Sequence, residues 1–135
     1  MAHKNPLVAR MPASAQATFA RLLEAGDDRD AEVLRMALDR YVEVIEDAAK
    51  TKTHIDLPLA RKIGASCRAL LDMLGESDEE QHARIFAAVE YFLLPADGED
   101  DLAVPDGLDD DAAVVSQVAY SVGREELMIT IPERG

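Results

Sequence analysis

The stretch from Tyr91 to Asp111, YFLLPADGEDDLAVPDGLDDD, gathers the chemistry-bearing side chains of this chain. It holds eight of the 27 acidic residues and no Lys, Arg or His. Asp97, Asp101, Asp110 and Asp111 are its candidate metal ligands, provided the loop folds back on itself. Clustered carboxylates suit hard divalent cations such as Ca²⁺, Mg²⁺ or Mn²⁺, which take several oxygen ligands and relieve the repulsion between them. The EF-hand order D-x-D-x-D-G is absent. A carboxylate pair also serves as acid and base where its surroundings separate the two pKa values, but on a polar loop both stay ionised. The same residues have a structural use. Asp97 and Asp101 accept backbone N–H bonds, Asp109 or Asp110 caps the next helix, and Gly107 allows a turn. That use accounts for most of the pattern without a ligand. No catalytic or cofactor-binding residue is assigned, and a divalent cation is the one cofactor left open.

Other reactive residues are few. Cys67 is the single cysteine, falls within an apolar series and reads as a buried, inert thiol. Having no disulfide partner in the chain, it points to a reducing compartment, and the cytoplasm is the expected location. His82 lies beside Asp78 and Glu79 and reads as a surface histidine; His3 near the start reads as solvated. There is no HExxH, G-x-S-x-G, Walker loop or Rossmann fingerprint, so an enzyme is the minority reading.

The chain is 135 residues long with a formal charge of −13. Between Ile85 and Gly123 it carries nine acidic residues and no basic one, whereas Lys50 to Arg68 carries five basic residues against Asp56 alone. Arg61, Lys62 and Arg68 read as a solvated flank or as facing the acidic stretch across the fold. The overall charge repels phosphate backbones, and with only three Phe, three Tyr and no Trp there is little to stack on bases. Nucleic acid is therefore excluded and a basic protein partner is expected. No apolar run approaches about 20 residues, which excludes stable membrane insertion.

The elements that position these residues are helical. Residues 1–13 read as an irregular arm in which only Leu7, Val8 and Met11 can dock. A helical domain follows over 14–123 and a tail over 124–135. Ser14 is the expected cap of a first helix carrying Phe19, Leu22 and Leu23. Asp27, Asp28 and Asp30 precede a helix over 31–49, with Leu34, Leu38, Tyr41 and Ile45 at spacings of three and four. Val33, Val42 and Val44 widen its apolar surface, so it packs on two sides or forms a homodimer interface. Asp56 and Pro58 open a third helix that Gly75 can end. Ser77 and Glu80 form an S-x-x-E capping box for a fourth, closed by Pro95. Asp109 to Asp111 cap a fifth, with Ala112, Val115, Val118, Ala119 and Val122 on its apolar face and Gly123 at its end. Leu127, Ile129 and Ile131 alternate as in a strand, which predicts an extended tail or pairing with another subunit. The expected fold is an all-α, compact single-domain bundle of about five helices, with the acidic loop between the last two and an extended C-terminal tail.

Pro95, Asp97, Asp101, Gly107, Asp110 and Asp111, set between two apolar helices, resemble the signature of the domain of unknown function 1232 family, often called YkvA-like. Its pattern runs Y-L-x-x-P-x-D-x-x-P-D and then P-x-x-G-x-x-D-D. The resemblance covers about residues 85–123. Asp100 stands where the family has its second proline, and the third is displaced to Pro105. The resemblance implies a compact helical domain and no particular reaction. Some relatives look membrane-associated, which the charge and modest hydropathy of this chain argue against. The resulting expectation is a non-catalytic interaction or regulatory module presenting an acidic surface; the alternative is a hard-cation carboxylate site, structural or catalytic.

Overall fold

The computed structural model describes residues 6–25, 29–52, 55–94 and 108–130, and they form an all-α bundle. Its helices are α1 (Pro6–Ala9), α2 (Gln16–Glu24), α3 (Ala31–Ala49), α4 (Leu57–Asp72), α5 (Glu79–Leu93) and α6 (Asp109–Ser121). Short 3₁₀ turns follow α4 at Leu74–Glu76 and α6 at Glu125–Leu127.

The helix starts show how local chemistry sets the boundaries. Asp30 accepts from the backbone N–H groups of Glu32 and Val33, satisfying donors that lack a partner within α3. Asp56 does the same for Leu59, and Pro58 lies where a missing N–H costs nothing. The box that opens α5 is Asp78 with Gln81, one residue beyond the expected Ser77 and Glu80. Ser77 is unavailable because its hydroxyl donates back to the Met73 carbonyl (2.7 Å). Gly75 does not end α4 directly; it lies in the 3₁₀ turn that follows. α5 ends at Leu93. Leu94 is extended, the backbone favoured for a residue before proline, while Pro95 itself lies outside the described residues.

Burial explains the layout. α5 packs against α2, α3, α4 and α6. Ile85, Phe86, Ala87, Ala88 and Val89 are buried consecutively, all round the helix. A helix buried all round must be apolar all round. α6, packed on α4 and α5, buries Ala112, Val114, Val115, Val118 and Ala119. The absence of basic residues between Ile85 and Gly123 is thus partly a consequence of two core helices. Gly64 is where α4 approaches α3 closely: an added Cβ would meet Val42 Cγ2 at 2.9 Å.

Two further details differ from expectation. Pro6–Ala9 is a helical turn within the segment read as irregular, and Leu7, Val8 and Met11 are buried there. No strand occurs among the described residues. Instead, the segment after Gly123 (φ +79°) lies along α4 and α6. Ser66 donates to the Leu127 carbonyl (2.8 Å), and the Ile129 N–H donates to Ser116 (2.8 Å). The strand-like alternation survives as burial: Leu127 and Ile129 turn inward, Met128 and Thr130 outward. Arg61 and Arg68 are exposed, as expected of a solvated flank, and pair with Glu46 (2.8 Å) and Asp39 of α3. Among the described residues no helix is long and apolar enough to cross a membrane.

Candidate functional site

The described acidic residues of this stretch, Asp109, Asp110 and Asp111, lie at the N-terminus of α6. Leu108, buried, precedes the helix and anchors it in the core. Its side chain cannot cap, and none of Asp109, Asp110 and Asp111 is the cap; they occupy the first turn. Carboxylates are favoured there by the free N–H groups and the positive end of the helix dipole.

The neighbouring aspartates face different surroundings. Asp110 lies at the surface and accepts from the Ser14 hydroxyl at 2.6 Å. This ties α6 to the chain before α2 and explains why Ser14 does not cap α2, whose first turn follows Ala15 without a side-chain cap. Asp111 turns inward and is 2% exposed. Its negative charge acts on the buried Cys67 of α4. One aspartate therefore joins α6 to the chain before α2, while the other lies within the core. Asp97 and Asp101 lie outside the described residues. Among the described residues there is no group of three His, Cys, Asp or Glu able to hold a metal ion.

Sequence spacing contained the signal for Asp111. It stands four residues before Val115 and seven before Val118, on the apolar face of α6. His82 also differs from expectation. It is half-buried, with its ring edge-on to Phe86 and Nε2 2.6 Å from the Leu74 carbonyl. A carbonyl only accepts, so this nitrogen carries the proton and the ring braces the turn before α5.

Burial pushes the Cys67 thiol far above its ordinary value of 9.0, and the charge of Asp111 adds to the effect. A thiol held protonated is a poor nucleophile. The pH consequence follows. Above pH 9 the unfolded chain releases this proton and the native chain keeps it. The native state then binds more protons, and stability falls by about 1.4 kcal/mol per pH unit. Below pH 9 the contribution is constant. Denaturant titrations of wild type and Cys67→Ala across pH 8–10.5 are expected to show the wild type losing this extra stability above pH 9. Parallel pH profiles would contradict the assignment.

A shallow, open groove of about 390 Å³ lies between α3 and α4, with Leu38, Val42 and Gly64 in its wall. The Arg61–Glu46 and Arg68–Asp39 pairs line it, together with Glu43. No protein-family model, curated protein or solved structure matches the chain.

Proposed function

We propose that this protein is a non-catalytic interaction or regulatory module that offers an acidic surface to a basic protein partner. The observation that carries the reading is the internal use of positive charge. Arg29, Arg35, Lys50, Arg61, Arg68, Arg84 and Arg124 each lie against a carboxylate of the same fold. Among the described residues Glu24, Glu43, Glu76, Glu79 and Glu125 are exposed and lie outside these pairs, in a chain of formal charge −13. Such a field steers and orients a basic partner more than it adds affinity. A cytoplasmic setting fits the single buried thiol. The test is capture of partners at low salt, followed by reconstitution with the purified partner. Basic partners that are released as salt rises support the proposal. Failure to retain any partner at low salt, or retention indifferent to salt, overturns it.

A further inference from the structure

The chain after α6 is seated on the bundle as a bound peptide would be. Gly123 (φ +79°) closes α6: its N–H donates to the Tyr120 carbonyl at 3.2 Å, and the Arg124 N–H reaches the Ala119 carbonyl at 2.8 Å. The helix end is therefore satisfied without residues 125–130. Those residues are held in two ways. Leu127 and Ile129 place half-buried side chains against the core, while Met128 and Thr130 face solvent. Two buried serines on different helices, Ser66 of α4 and Ser116 of α6, address main-chain atoms of the segment. Ser66 donates to the Leu127 carbonyl (2.8 Å), and Ser116 accepts from the Ile129 N–H (2.8 Å) with the Ile129 carbonyl 3.4 Å away. The Arg124–Glu126 ion pair is internal to the segment and ties nothing to the helices.

We infer that residues 125–130 are a displaceable strap over an α4–α6 site for an extended peptide with two apolar side chains two residues apart. Recognition there is general in the main chain and selective in the side chains. The serine hydroxyls read a carbonyl and an N–H that any extended segment offers, and the inward positions ask for a residue such as Leu or Ile. The strap itself shows the occupant's backbone: Met128, at φ −63° and ψ 145°, is extended in the polyproline II manner. When the strap lifts, water replaces main chain at both hydroxyls and the helices keep their own bonds, so opening is local. The contacts are hydroxyl and apolar, and the inference stands apart from the acidic-surface reading.

Two experiments on the full chain test it. In the first, a labelled, end-capped peptide of residues 124–130 is titrated by fluorescence anisotropy into wild type and into a Leu127→Ser, Ile129→Ser variant, whose strap is weakened and whose site is intact. The variant is expected to bind about tenfold tighter or more, since a seated strap lowers the apparent affinity of wild type by the fraction of time it is open. A peptide carrying the same two serines is expected to bind neither protein. Adding Ser66→Ala and Ser116→Ala to the variant is expected to weaken binding of the first peptide about fivefold or more. A variant that keeps a cooperative urea transition yet binds the peptide no tighter than wild type would overturn the inference, as would equal binding of the two peptides. In the second experiment, amide hydrogen exchange of wild type is followed by NMR. The Ile129 amide is expected to exchange through an opening populated about a hundredfold more than that of Val89 in α5, and insensitive to low urea. An Ile129 amide that exchanges only with the whole bundle would overturn the inference, whether or not the variant folds. A wild-type dimer by light scattering that the variant makes monomeric would overturn seating within one chain and give the site to the strap of a second copy.

Discussion

Phe92→Ala is expected to lower the free energy of unfolding by about 3–5 kcal/mol. Phe92 is fully buried near the end of α5, and the ring of Tyr41 from α3 meets it edge-on at 5.1 Å between centroids. Truncation loses the transfer energy of the ring and the aromatic contact, and it leaves a cavity where α5 joins α3. A domain of this size has only about 5–15 kcal/mol of stability, so the change is a large fraction of the total. Urea titration checks it, and a loss below about 1 kcal/mol would mean that α5 is not the centre of the core.

The second large effect is electrostatic. The Arg29 side chain is 11% exposed, its Nε lies 2.6 Å from Glu90, and its guanidinium donates to the Leu22 carbonyl at 2.8 Å. It also lies over the Phe86 ring at 5.9 Å. One side chain thus joins the end of α2, the start of α3 and the middle of α5. Arg29→Met is expected to cost about 2–4 kcal/mol, because a largely buried carboxylate and a carbonyl lose their donor. Adding Glu90→Leu to that variant is expected to restore about half of the loss or more, since the stranded charge is then gone. A double-mutant cycle measures the coupling. A double variant no more stable than Arg29→Met alone would contradict the account.

Most of the architecture was legible in the sequence where a local signal coincided with burial. The boundaries of α3 followed from Asp30 and the spacing of Leu34, Leu38 and Ile45. The start of α4 followed from Asp56 and Pro58. The capping box before α5 was off by one residue because S-x-x-E and D-x-x-Q overlap there, and only the hydrogen bond from Ser77 to Met73 decides between them. The tail escaped a local reading because its partners, Ser66 and Ser116, belong to other helices. In the candidate site, Asp110 and Asp111 looked equivalent as members of an acidic run. Helical spacing separates them, since a step of one residue turns the side chain about 100° round the axis. The run therefore splits into a core residue and a surface residue bonded to Ser14. The exposed side of α3 was half legible: Val33 and Val44 stood outside the core stripe in the sequence, but whether another helix covered them depended on the fold.

The proposed acidic surface is tested most directly by the salt dependence of the affinity for a reconstituted basic partner. The account predicts a dissociation constant that rises at least tenfold between about 50 and 200 mM salt, with the loss in the association rate, because screening shortens the reach of the carboxylate field. A complex whose affinity and association rate stay constant over that range would contradict it.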